Sequence, residues 1–140
     1  MHTIKIIVEY NGANFCGWQQ QPGVRTIQEE LAKALRLVLR EDPKQLTASG
    51  RTDSGVHARA QVVSFKVEQE VDLVRLRRSI SHIMKGELAI ISVEKAPDAF
   101  NARFDAKRKH YRYTIANRDT PAVLDRGLVW TIHSKLDIER

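Results

Sequence analysis

The stretch Leu46-Thr47-Ala48-Ser49-Gly50-Arg51-Thr52-Asp53-Ser54-Gly55-Val56-His57-Ala58-Arg59-Ala60-Gln61-Val62-Val63-Ser64-Phe65-Lys66-Val67 decides the fold. Leu46-Thr47-Ala48 reads as a short extended piece that leads into a loop bracketed by Gly50 and Gly55. Gln61 to Val67 reads as the following strand, with Val63, Phe65 and Val67 on one face. Within the loop, Asp53 has Arg51 two residues before it and His57 four after. The glycines let the backbone turn sharply and come close to a ligand. If Arg51 and Asp53 are locally extended, their side chains leave the same face, and the guanidinium would stabilise the charge of the carboxylate. A carboxylate on a tight loop suits nucleophilic or general-base work. The spacing equally allows a turn stapled by an Arg–Asp pair.

Outward from this loop, the pattern alternates between strands and helices. Ile4 to Tyr10 is β-branched and bounded by Asn11-Gly12, which predicts a first strand. A loop from Asn11 to Arg25, holding Phe15 and Trp18, precedes Thr26-Ile27-Gln28-Glu29, a capping box. Ile27, Leu31, Leu35 and Val38 recur at helical spacing to about Arg40, and Asp42-Pro43 is expected to end that helix. Asp72 can cap a second helix whose stripe is Leu73, Leu76, Ile80 and Met84, and Leu88 to Val93 reads as a fully apolar strand. The order β-α-β-β-α-β predicts an α+β, ferredoxin-like or RRM-like layer of sheet and helices over residues 1–105. Beyond Pro97, Tyr111 to Ile115 alternates cleanly and predicts another strand, Leu128 to Ile132 one more, and Lys135 to Arg140 the opening turn of a helix. Residues 106–140 are expected to belong to the same structural unit.

Composition bounds the function. The chain has 140 residues, 42% hydrophobic and 29% charged, in the range of an ordinary globular protein. No apolar run approaches the roughly 20 residues that span a bilayer. Met1 to Lys5 lack a basic segment followed by an apolar one, so no secretory signal is expected. A lone Cys16 excludes an internal disulfide and a cysteine-cluster zinc site, and points to the reducing cytoplasm. The net charge of +6 suggests a polyanionic partner. It is unevenly spread, with Arg103, Lys107, Arg108, Lys109, His110 and Arg112 close together and Arg75, Arg77 and Arg78 in a second group. With tyrosines interleaved, these clusters favour RNA over a merely solvated basic face.

Five ordered motifs then resemble the TruA-type tRNA pseudouridine synthases. They are Tyr10-Asn11-Gly12 with Phe15-Cys16-Gly17-Trp18-Gln19, Thr26-Ile27-Gln28, Gly50 to Ala58 with Gln61-Val62-Val63, Phe100-Asn101-Ala102-Arg103-Phe104, and Tyr111-Arg112-Tyr113. The resemblance implies that Asp53 is the catalytic aspartate that isomerises uridine to pseudouridine. Arg51 would help extrude the target nucleotide, and Tyr111 would stack on its base. It implies no metal or other cofactor, a substrate in the tRNA anticodon stem-loop, and a homodimer. Arg103, Lys107, Arg108 and Arg112 are candidate phosphate contacts. His57 could touch RNA or satisfy its own loop, while Phe15 and Trp18 read as packing residues. The family's Leu-Pro and Asp-Ile pattern after the second helix is absent from Ser81 to Leu88, which puts the local turn there in doubt.

The resemblance covers only the first half of the family fold and the start of a linker helix. Weak or no turnover is therefore expected from this chain alone, together with an unpaired sheet edge and an exposed apolar patch that favour self-association. A noncatalytic RRM-like RNA-binding module is the competing reading. A small-molecule enzyme of acylphosphatase type fits less well, because no suitable phosphate-cradling loop is present.

Overall fold

Alternation in the first strand sets up the core. In the computed structural model, which describes all residues from Met1 to Arg140, β1 runs His2–Tyr10. Its Ile4, Ile6, Val8 and Tyr10 are buried on one face, as a period of two requires. α1 follows over Ile27–Leu39, then β2 (Lys44–Ala48), β3 (Ala58–Val67), α2 (Leu73–Ile83) and β4 (Leu88–Ala96). This is the expected β-α-β-β-α-β order. The sheet order is β2-β3-β1-β4, and every neighbouring pair is antiparallel. β3 is in register against β1 with Ile4 opposite Phe65 and Ile6 opposite Val63, so large side chains of both strands share the core face.

The helices are held where capping chemistry places them. The Thr26 hydroxyl accepts the Glu29 N–H at 3.4 Å, and the Asp72 carboxylate accepts the Arg75 N–H at 3.0 Å. Glu29 itself faces Lys33, 3.4 Å away. Ile27, Leu31, Leu35, Leu76 and Ile80 complete one buried cluster with the sheet. α1 stops earlier than Asp42-Pro43 would stop it. Arg40 takes a left-handed conformation (φ 59°, ψ 24°) and its N–H bonds to the Arg36 carbonyl at 2.9 Å. Asp42 pairs with Arg36 instead. On the edge strand β4, apolar character does not mean burial throughout, because Ile91 sits at a register shift and is exposed.

Residues 97–105 lie across the sheet face opposite the helices. The Thr3 hydroxyl donates to the Asp98 carbonyl at 3.3 Å, the Lys5 ammonium stands 5.7 Å from the Phe100 ring centroid, and the Ala102 N–H donates to the Ser64 hydroxyl at 2.9 Å. Thr3, Lys5 and Ser64 alternate with the core residues of β1 and β3, which identifies the face.

The chain divides into two compact units, Met1–Lys107 and Arg108–Arg140, where the sequence predicted a single one. The second unit corrects two further expectations. Its first strand, β5, is Ile115–Asn117, so Tyr111 to Thr114 lie before it rather than in it. β5 pairs in parallel with β6 (Trp130–Ile132). The tail forms no helical turn, only a hydrogen-bonded turn at Ile138 and Glu139. No helix in either unit is long and apolar enough to cross a membrane.

Candidate active site

The loop carrying Asp53 is clamped by backbone from the loop after β1. The Trp18 N–H donates to the Thr52 carbonyl at 3.0 Å and the Gly55 N–H to the Phe15 carbonyl at 3.2 Å. The Ser54 hydroxyl reaches the same Phe15 oxygen at 3.3 Å. Such close approach dictates glycine on the facing loop. A Cβ on Gly12 would lie 2.0 Å from the Val56 carbonyl oxygen. One on Gly17, whose φ is +82°, would lie 2.8 Å from that of Thr52.

Buried aromatics carry this double loop. Phe15 and Trp18 are each 2% exposed, as expected of packing residues, and Trp18 lies 6.1 Å from Tyr10 between ring centroids. The Tyr10 hydroxyl meets the Thr52 hydroxyl at 2.8 Å, and burial raises the Tyr10 pKa. On the strand side, Gln61 donates to the Gly50 carbonyl at 2.6 Å and accepts from the Ser49 hydroxyl at 2.9 Å. His57 Nδ1 accepts the Gly12 N–H at 2.9 Å, so this nitrogen is the unprotonated one and serves the loop backbone.

A third clamp comes from the stretch Ser81 to Leu88. After α2 the chain turns through Lys85 (φ 49°) and Gly86 (φ 79°), both left-handed. Glu87 then takes the Arg25 guanidinium in a two-pronged pair at 3.0 and 2.8 Å, and its carbonyl accepts the Asn11 N–H at 3.0 Å. Arg25 also lies over the Phe15 ring, 4.3 Å from its centroid. The pair lowers the Glu87 pKa and raises that of Arg25. Nothing in the spacing of residues 25 and 87 announces this contact.

Against this braced background Asp53 stands apart. Its backbone carbonyl accepts the Val56 N–H at 3.1 Å, closing the turn, while the side chain is exposed and its carboxylate has neither a hydrogen bond nor an ion pair. The Arg–Asp staple allowed by the sequence is therefore not formed. Arg51 is exposed and outside every ion pair. Arg51, Asp53 and His57 are brought onto one loop, whereas Arg103 and Lys107 are exposed near the end of the first unit. Tyr111 belongs to the second unit with Arg108 and Arg112, and is 73% exposed. Tyr113 is 84% exposed, so neither tyrosine is a core aromatic. No three His, Cys, Asp or Glu side chains converge as metal ligands would. A cavity of about 410 Å3 in the second unit is lined by residues such as Pro121, Val123 and Val129, with no titratable group but Arg126.

This geometry, an unpartnered carboxylate on a glycine-clamped loop, accompanies a family match. The profile described as tRNA pseudouridine synthase fits residues 6–105. The chain belongs to the tRNA pseudouridine synthase family. It is 45% identical over 139 residues to tRNA pseudouridine synthase A of Citrifermentans bemidjiense, covering 99% of this chain and 55% of that protein. The synthase A of Wolbachia pipientis wMel is 44% identical over 136 residues, 96% of this chain and 55% of its own. That of Geotalea uraniireducens is 43% identical over 140 residues, 100% of this chain and 57% of its own. The chain thus spans about half the length of the curated relatives it matches. Within the matched range lie both clamping loops, Asp53 and the segment across the open sheet face.

Proposed function

We propose that this chain carries the aspartate-bearing half of a tRNA pseudouridine synthase, with Asp53 as the catalytic carboxylate. The observation that supports it best is the contrast around that residue. The neighbouring backbone is fixed from three sides, and the one acidic side chain at its tip is left uncommitted. A preorganised loop delivers such a group without reordering at the moment of reaction.

The chemistry needs little else. A uridine must leave its stack, at a cost of a few kcal/mol, because its glycosidic bond is inaccessible in a helix. Stacking on an aromatic returns about 1–3 kcal/mol, and Tyr111 is our candidate for that ring. Arg51 is the candidate that occupies the vacated place. Asp53 then acts on the base or on the sugar carbon. The glycosidic C–N bond breaks, the base rotates and rejoins through carbon, and the proton lost from that carbon is balanced by one gained at nitrogen. Reactant and product are isomers, so no water, phosphate or redox partner enters the balance. The same reading places the substrate uridines in the tRNA anticodon stem-loop, the enzyme in the cytoplasm and the active form in a homodimer. Support for self-association comes from the apolar side chains that the second unit leaves uncovered, Leu124 and Trp130 among them. Arg103, Lys107, Arg108 and Arg112 are our candidate phosphate contacts.

The test is conversion of anticodon stem-loop RNA under single turnover, by the chain alone and by the chain completed with the portion of a relative that it does not span. Asp53→Ala should abolish conversion in whichever form is active and change RNA affinity less than about threefold. Conversion that survives Asp53→Ala sinks the assignment. RNA binding with no conversion in either form establishes the noncatalytic RNA-binding module instead.

A further inference from the structure

The first unit places one aromatic ring in solvent. Tyr10, Phe15, Trp18 and Phe65 are buried and Phe100 is half-buried, but Phe104 is 77% exposed. A phenyl ring in water contributes nothing to the core, and this one is not on a slack segment. Every backbone N–H from Phe100 to Asp105 is engaged. Those of Phe100 and Asp105 donate to the carbonyls of Pro97 and Asn101, both at 2.9 Å. That of Asn101 donates to the Asp105 carboxylate at 2.8 Å, and that of Ala102 to the Ser64 hydroxyl at 2.9 Å. Those of Arg103 and Phe104 both reach the Asn101 side-chain oxygen, at 2.9 and 3.2 Å. Ala102 is buried against the sheet, so the turn is anchored to the rigid layer of the fold.

The neighbours of the ring indicate the chemistry of its ligand. The Arg103 guanidinium lies 5.4 Å from the Phe104 centroid. In sequence, five of the ten residues from Arg103 to Arg112 are Lys or Arg and only Asp105 is acidic. A flat apolar ring with a guanidinium beside it, in a stretch of sequence rich in cations, matches a polyanion that offers flat apolar faces. A single-stranded nucleic acid does so, because every base stacks regardless of its identity while phosphates meet the cations.

We propose that Phe104, with Arg103 beside it, is a stacking platform for an unpaired nucleobase of the bound RNA, a base other than the one that reacts. The inference rests on the RNA-binding reading given above and adds a second point of purchase, on the turn across the open sheet face. Because the turn is already ordered, the stack forms without a large ordering cost.

The measurement is equilibrium binding of the full chain to fluorescein-labelled anticodon stem-loop RNA. Phe104→Ala should weaken binding by about 5- to 100-fold, the worth of one base stack, and Phe104→Trp should restore it. Phe104→Ala should leave the salt dependence unchanged, whereas Arg103→Ala should flatten it by about 0.7, one phosphate contact on a single strand. Phe104 is exposed, so the thermal midpoint of the free variant should match the parent. Equal affinity of parent and Phe104→Ala overturns the platform while leaving the RNA reading intact. A change in sedimentation of the RNA-free variant with unchanged affinity overturns it in favour of a ring covered by a second copy of the chain. Failure of the parent to bind the RNA at all overturns both readings.

Discussion

The two units of this chain solve the same problem, a short polypeptide with aromatic side chains to place, in opposite ways. Residues 1–107 bury Tyr10, Phe15, Trp18 and Phe65 under a four-stranded sheet, two helices and a pair of interlocked loops. Residues 108–140 hold one pair of three-residue strands and leave Tyr111, Tyr113, Leu124 and Trp130 largely in solvent. A two-stranded element is marginal by itself in water. The first unit thus has the means to hold a reactive group still, while the second offers surface. Asp53 lies in the first and the candidate stacking tyrosine in the second, so the proposed acid, unlike the proposed ring, belongs to the part of the chain with a packed core.

The two tryptophans test this difference most severely. Trp18→Ala removes a fully enclosed side chain and should cost about 3–5 kcal/mol. It also strips the N–H-bearing residue that holds Thr52 of its anchor. Trp130→Ala, at a site 62% exposed, should move stability by less than about 0.5 kcal/mol. Urea midpoints of the two variants read the contrast directly. Equal losses would mean that the second unit carries a core of its own and that the comparison is wrong.

A smaller effect is expected where the loops touch. Gly17→Ala places a methyl against the Thr52 carbonyl at a positive φ, so one loop must withdraw from the other. The expected cost is about 1–3 kcal/mol. The informative readout is hydrogen exchange at the Trp18 and Gly55 amides, which should accelerate while that of β1 and β3 does not. Unchanged protection at those two amides would show that the clamp is not what fixes the Asp53 loop.

What could be foreseen follows the range of the interactions. Thr26 and Asp72 bond amides three residues on, so their caps are visible in a local window, as are the stripes of α1 and α2. Phe15 and Trp18 were legible as packing residues because a polar, glycine-rich loop has few other uses for them. His57 was legible only as an alternative, since its donor, Gly12, is 45 residues away. The Arg25–Glu87 pair and the Ala102–Ser64 bond were invisible for the same reason. Tyr111 to Ile115 shows the converse error. Alternation states that a segment can be a strand, but pairing needs a partner. Trp130 donates to the Thr114 carbonyl and β6 accompanies only Ile115–Asn117. The Arg51–Asp53 staple failed because a shared face is necessary for an ion pair and far from sufficient. Its absence is what leaves the carboxylate available.

The smallest effect concerns the third clamp and is set by pH. Glu87 has its pKa lowered below 4.5, first by the hydrogen bonds from Arg25. A carboxylate whose folded pKa is depressed binds protons more readily when unfolded. Its contribution is therefore complete above about pH 4.5 and is lost as the pH falls through the lower, folded value. Both partners are partly solvated, with 41% of the Arg25 side chain and 27% of that of Glu87 exposed. The pair should then be worth no more than about 1 kcal/mol at low salt and less in high salt. Glu87→Gln isolates it. The gap in urea midpoint between parent and variant should be present at pH 7, close steadily on acidification below 4.5, and shrink with added salt. The second unit has no comparable carboxylate pair to titrate, its one ion pair being Arg140 with Asp137 at the exposed tail. A gap that persisted into strong acid would mean that the loss in Glu87→Gln is not electrostatic, because the Glu87 carbonyl that holds the Asn11 amide is the same in both proteins.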